Sequence, residues 1–491
     1  MSTTRTTTRS TAVAATCAAL LGAGLALTAL PAHAEALTCQ GKPVTVEGAT
    51  GTPMDDVMVV GSTPVGTATG GAGNDVICIR LTTSREPLLY AVDAGPGDDT
   101  VVNESTDANT RLTTLLGAGA DTYTGSDTTG EVVVAGAVGW SRLGDTSDVE
   151  SDTIDTRGGL DIVYSGSTAP GDRNRDAVST GDGNDILHWA GEQVGNPVDL
   201  GAGTNSLALY PGWQGTSAVV DAAQQVATVD SRPALRWTGE VTSFELRLDN
   251  LETTFTGTDA DERLLAATPV VAGPGGAAPT PDPAQRRWID MAGGDDHVEL
   301  WDTVGGTMIG GTGRDALDAG YCFVADVTLG SRFTCVRSLN PRVDHTAVID
   351  AWEDVSVPGN RVHVVGSAAP DTIDARGNLV RVSGRGGDDL ILIGGPRGTS
   401  EQKWPTVVRG GDGDDRISGS FNVDKILGGG GRDRVWASGK ADLVLGGSGR
   451  DRLSGGKGPD RLFGGTGRDK ATGEAGRDRC TAEVRRSCER S

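Results

Sequence analysis

At 491 residues the chain is too long for one ordinary compact core. Glycine, at 74 residues, runs at roughly twice common usage while aromatics are only 4%, which argues for a chain that turns often. The formal charge of −23 makes nucleic acid a poor partner and leaves two jobs for the acids, solvation or the holding of hard cations.

The chain opens as a secretory signal. Arg5 and Arg9 precede the apolar stretch 11–30, and Pro31-Ala32-His33-Ala34 offers an A-x-A cleavage site. The alternative is an uncleaved anchor, since about 20 apolar residues can span a bilayer. With 1–34 removed no membrane span follows, the charge falls to about −25, and six cysteines remain. An even number in an exported chain suggests disulfides. Of the 15 pairings the local set is favoured: Cys39–Cys78, Cys322–Cys335 and Cys480–Cys488. Zinc is the weaker reading, because there is no C-x₂-C and histidine is scarce.

Residues 35–265 hold short glycine-rich turns that end in aspartate and run into an apolar stretch. GGAGNDVIC carries Asp75, AGPGDDTVV Asp99, LGAGADTYT Asp121 and TGDGNDILH Asp185. Residues 266–288 are rich in Ala, Pro and Gly and read as a linker or long loop. The pattern resumes over 289–409 at Asp296, Asp315 and Asp389, and 393–409 interrupts it.

From Gly410 to Cys480 the chain divides into nines without insertion: GGDGDDRIS, GSFNVDKIL, GGGGRDRVW, ASGKADLVL, GGSGRDRLS, GGKGPDRLF, GGTGRDKAT and GEAGRDRC. The sixth position is always aspartate (415, 424, 433, 442, 451, 460, 469 and 478), and the eighth is Ile, Val, Leu, Ala or Cys. Glycines permit positive φ and close backbone approach. Residues six to nine then form a short strand with position eight inward and position seven, usually Arg or Lys, outward. Two nines make one 18-residue coil, with coils about 4.8 Å apart. Aspartates 18 apart therefore stack, and bare carboxylates at that distance repel by roughly 1–3 kcal/mol at intermediate dielectric. Ca²⁺ suits that stack, because it takes six to eight oxygens and glycine turns expose carbonyls. The plainer alternative is a metal-free solenoid.

These units resemble the RTX, or haemolysin-type, calcium-binding nonapeptide G-G-x-G-x-D-x-U-x. The resemblance implies a parallel β-roll with Ca²⁺ held by Asp carboxylates and turn carbonyls. The expected fold is all-β, a parallel β-roll or β-helix solenoid, regular at 410–480, irregular upstream, and capped by 481–491. Cys39, the upstream repeats and the Cys480…Cys488 end resemble exported actinobacterial calcium-binding proteins. Units 410, 428, 446 and 464 all keep GGxGxD, whereas 419, 437 and 473 lose glycines and only 455 on that side is intact. One edge, with Asp415, Asp433, Asp451 and Asp469, is expected to bind calcium well. The other is expected to bind only through Asp460 and Asp478. Asp389, Asp75 and Asp99 are the expected upstream ligands. Leu427, Leu445 and Phe463 should form an outward apolar stripe. Arg432, Arg450, Arg468 and Arg477 precede motif aspartates, as a solvated face or as a softening of Asp–Asp repulsion.

No histidine sits in H-E-x-x-H, GGSGRD is not a nucleophile elbow, and Ser438-Gly439-Lys440 is not a phosphate loop. His188 reads as a surface or cap residue. The reading is a secreted, non-catalytic calcium-binding repeat protein that meets an extracellular protein or cell-surface polymer. The alternative is a secreted hydrolase, a polysaccharide-active β-helix with its site in 90–350.

Overall fold

The computed structural model describes residues 37–489 apart from 62–64, 82–87, 107–109, 136–149, 170, 196, 211, 249–250, 267–286, 301–304, 340–341 and 396–403. The signal segment 1–34 lies outside the described residues, as does most of 266–288. Every element among the described residues is a strand, and residues 38–491 form one compact unit. No helix among them is long and apolar enough to cross a membrane.

The strands stack in parallel on two faces. One stack runs from Val65–Thr69 to Val484–Arg486, each strand pairing with the one a coil away. The facing stack begins with Val57–Val60 and reaches Arg232–Thr238, where a second run takes over and continues to Arg479–Thr481. This is the expected all-β parallel solenoid.

In the C-terminal coils the offset between paired strands is 18 residues, as in Ile417 with Val435 and Ile426 with Val444. All eight residues at position eight are buried, from Ile417 at 0% exposure to Cys480 at 6%. Burying one such aliphatic side chain is worth about 1.5–3 kcal/mol. Upstream the coils vary in length because loops and hairpins leave them. The hairpin Cys322–Thr328 with Arg332–Leu339 is the clearest case, and its own strand inserts into the facing stack.

The strands on either side of the two interruptions stay in the stacks. Ala266 ends a strand and Arg287–Asp290 is the next one, and both pair with neighbouring coils. Residues 267–286, between these two strands, lie outside the described residues. Likewise Leu390–Gly394 and Thr406–Asp412 flank the 393–409 interruption, and both pair into the regular roll. The roll continues the coils before it.

The three local disulfides form: Cys39–Cys78, Cys322–Cys335 and Cys480–Cys488. They fasten the first coil, the extruded hairpin and the last coil, the places where a repeat stack lacks a neighbour. At the end of the chain Asp469 donates its backbone N–H to the Glu483 carboxylate (2.7 Å), and this bond holds the Glu483 carboxyl below its usual range.

The glycines at positions two and four of each intact turn carry the close approach. Gly449 has φ +132°, and a Cβ there would lie 1.6 Å from the Gly431 carbonyl oxygen of the preceding coil. Gly330, at φ +68°, has nothing within 4 Å. Gly449→Ala is therefore expected to cost about 3 kcal/mol or more, from clash plus strain. Gly330→Ala should cost only about 1–2 kcal/mol. Denaturant midpoints measured in calcium compare the two, and equal losses would contradict the stacking.

Candidate metal centre

Each motif aspartate is buried at the mouth of its turn and divides its two oxygens between two jobs. Oδ1 accepts the backbone N–H of the aspartate one coil earlier. Asp415 N–H meets Asp433 Oδ1 at 3.0 Å, Asp433 meets Asp451 at 3.0 Å, and Asp451 meets Asp469 at 3.0 Å. On the facing edge Asp424, Asp442, Asp460 and Asp478 form the same chain, at 2.8, 2.8 and 2.9 Å. Oδ2 is buried without a hydrogen-bond partner in Asp75, Asp99, Asp389, Asp415, Asp433, Asp451, Asp460, Asp469 and Asp478, the nine residues the sequence singled out. Glycine at position one makes room for it. A Cβ on Gly446 would lie 2.4 Å from Asp451 Oδ2 and 2.4 Å from the carbonyl oxygen of Gly464 in the next coil. The orphan oxygen and that carbonyl thus flank the same glycine, and a buried carboxylate oxygen without a donor beside a carbonyl suits a cation.

Two exceptions show what the Oδ2 position demands. Asn205 takes the place that Asp185 holds one coil earlier. Its Oδ1 accepts Asp185 N–H (2.9 Å), while its Nδ2 donates to the Leu200 and Glu240 carbonyls at 2.9 and 3.0 Å. An electropositive group is what fits against those carbonyls. The second exception is a hydroxyl residue at position two. Ser420 gives its N–H to Asp424 Oδ2 (2.6 Å) and its hydroxyl to Oδ1 (2.8 Å). Ser367 does the same for Asp371, and Thr258 serves Glu262. Such rungs close without metal.

Burial, reinforced by neighbouring carboxylates, pushes the open-rung acids upward: Asp442 to about 8, Asp99, Asp389 and Asp433 to about 7, and Asp415 and Asp460 to about 6. A raised carboxyl pKa means the folded state holds protons that the unfolded chain releases. Its stability contribution is present below the unfolded value near 4 and is lost as pH rises through 6–8. In EDTA the protein is therefore expected to melt higher at pH 5 than at pH 8. Saturating calcium should remove or reverse that trend. A calcium-free melting temperature that rises from pH 5 to pH 8 would contradict this ladder.

The structure changes several expectations. The 437 unit lacks the motif glycines, yet Ser438 and Lys440 hold positive φ of 86° and 67°, and Asp442 Oδ2 is as orphaned as its neighbours. The poorer edge thus has a second open gap, 442/460, beside 460/478. The expected ligand set left out Asp442, Asp296 and Asp315, which the repeat pattern contained and whose Oδ2 atoms are orphaned too. The signal missed at 442 was that non-glycine residues adopt the glycine backbone. Asp161 and Asp185 have orphaned Oδ2 atoms as well, but a threonine hydroxyl, of Thr156 and Thr180, helps each carboxylate. Arg432, Arg450 and Arg468 make no ion pair among the described residues, and Arg477 reaches only Glu489, at 3.9 Å. They therefore do not soften the aspartate stack by direct pairing. Leu427, Leu445 and Phe463 stack in register as expected, the leucines half-buried and Phe463 exposed. His188 is packed between Tyr164 and Tyr210, and burial with Arg247 lowers its pKa to about 4.

Among the described residues no three His, Cys, Asp or Glu side chains gather as metal ligands. Residues 407–435 and 445–480 match the family model described as RTX calcium-binding nonapeptide repeat (4 copies). The break between the two matches falls on the 437 turn, where the motif glycines are missing. No curated protein matches the chain. Residues 407–480 of this chain are RTX calcium-binding nonapeptide repeats.

Proposed function

We propose that the protein is a secreted, non-catalytic calcium-binding solenoid, of the kind exported by actinobacteria, that becomes rigid on meeting extracellular calcium. The observation that carries the reading is the row of buried aspartate oxygens that lack a donor and lie beside backbone carbonyls. Calcium would be held in the gaps where both bordering rungs are open. On one edge these are 389/415, 415/433, 433/451 and 451/469, and on the other 442/460 and 460/478. Upstream, 75/99 and 296/315 have the same form. Calcium supplies charge neutralisation there. The chain's own part is to fix the carboxylates through their Oδ1 bonds and to turn carbonyls inward through its glycines.

Three disulfides and an A-x-A sequence after an apolar stretch support export. The motif acids are all engaged in rung-to-rung bonding, which supports a structural use of them. Isothermal titration of the full, chelator-stripped chain tests the reading. Several calcium ions per chain are expected, with no turnover in a parallel screen on polysaccharides. Fewer than two bound ions, or clear hydrolysis, would overturn it.

A further inference from the structure

The outer surface of the calcium edge is basic in a way the rest of this acidic chain is not. Strand register places Arg416, Arg434, Arg452 and Lys470 directly above one another, with Leu390 and Val484 at the ends. Arg432, Arg450 and Arg468, at position five of the same turns, form a second row alongside. The two rows line one open groove of about 690 Å³. None of these seven cations makes an ion pair among the described residues. The groove's acids are Asp388 and Asp414 at its upstream end and the motif aspartates, whose orphan oxygens point into the turns.

Coils repeat about every 4.8 Å, so the rows present positive charge at a fixed period along the solenoid axis. A compact anion would meet only one or two of these groups, whereas an extended polyanion would meet all of them. The next residues along the outer face decide its chemistry. Two positions beyond each row-one cation, on the same strand face, stand Ser418, Trp436, Ser454 and Thr472 in register. Trp436 is 49% exposed. One indole among hydroxyls suits a sugar ring, with its apolar face on the indole and its hydroxyls on Ser418 and Thr472, while the Ser454 hydroxyl already donates to Glu474. Single-stranded nucleic acid needs a succession of aromatic platforms, which this column lacks.

We propose that the groove between these two basic rows binds a linear acidic polysaccharide. Sulfate and carboxylate groups share the chemistry that arginine recognises, and the test separates them. The assignment stands on the arginine rows. Where the calcium reading holds, bound calcium adds to it by cancelling the charge of the inward aspartates.

The experiment uses the full chain in millimolar calcium and measures binding of size-defined heparin, hyaluronan and neutral dextran oligosaccharides and of oligo-dT. Calcium binding is measured separately without polymer, so that failure of one reading leaves the other visible. Tight, salt-sensitive binding of heparin or hyaluronan is expected, with dextran silent. A preference for heparin would assign sulfate, and a preference for hyaluronan carboxylate. The variant Arg432→Gln/Arg434→Gln/Arg450→Gln/Arg452→Gln should bind about tenfold more weakly or worse and show a shallower salt dependence. Its calcium-induced circular dichroism change should remain. Arg461→Gln/Arg479→Gln on the opposite stack should bind as wild type. The proposal is overturned if no acidic oligosaccharide binds, if the two variants lose affinity equally, or if oligo-dT binds more tightly than either acidic sugar.

Discussion

Chelating calcium should melt the coils from Asp389 to Asp478 well before the upstream coils. From Thr406 on, those coils have slender cores, one buried aliphatic residue in most strands, ending in Ala471 and Cys480. Six open gaps fall in this stretch. A site filled at 100 times its Kd adds about 2.7 kcal/mol. Three such sites approach the 5–15 kcal/mol that holds an ordinary domain together. Without the ion each open rung retains a buried, donor-less oxygen at about 1–3 kcal/mol. The upstream coils depend less on metal, because Tyr123, Trp189, Phe244, Phe255 and Phe333 are fully buried there. Calorimetry of the full chain should show two transitions in EDTA, the lower one moving up by tens of degrees in millimolar Ca²⁺. Hydrogen exchange should assign that lower transition to 389–478. Superimposable scans with and without EDTA would rule out calcium as the support of these coils.

The regular roll was legible because its period is short and unbroken. Eight aspartates at one position and eight apolar residues two places on fix the coil length, the inward face and the edge on which the acids stack. The upstream solenoid was legible only in part. Its coils differ in length, and a hairpin such as 322–339 hides the return of the chain to the stack. The Ala- and Pro-rich stretch 266–288 reads as a linker or long loop because composition reports only local character, while the pairing of the strands on either side of it with neighbouring coils is a long-range fact. What the sequence could not supply was the division of labour within each carboxylate. Both turns carry serine at position two, but Ser420 serves Asp424 while Ser438, at φ +86°, gives its hydroxyl to the Gly419 carbonyl (3.4 Å) and leaves Asp442 open.

That division yields a prediction of opposite signs for one substitution at two places. Asp451 is an open rung, whose Oδ1 accepts Asp433 N–H while Oδ2 has no donor. In Asp451→Asn the amide can keep the Oδ1 bond and turn its Nδ2 toward the turn carbonyls, as Asn205 does. Calcium-free stability should then rise by about 1–3 kcal/mol, the cost of the unmade bond. The gaps 433/451 and 451/469 should each lose a carboxylate ligand, and about two calcium ions should disappear from the isotherm. Asp451→Ala should lose the same ions but fall in stability, because Asp433 N–H loses its acceptor. Asp424 is a closed rung, whose Oδ2 already accepts the Ser420 N–H at 2.6 Å. An amide there can accept that N–H only by turning its nitrogen onto the Ser420 hydroxyl, so Asp424→Asn fills no orphan, exchanges charge-assisted bonds for neutral ones and should destabilise the calcium-free chain by about 1 kcal/mol. It should leave the calcium count unchanged. Denaturant melts in EDTA read the first quantity and calcium isotherms the second. If both asparagine variants shift the calcium-free midpoint in the same direction, the open and closed rungs are not different in kind.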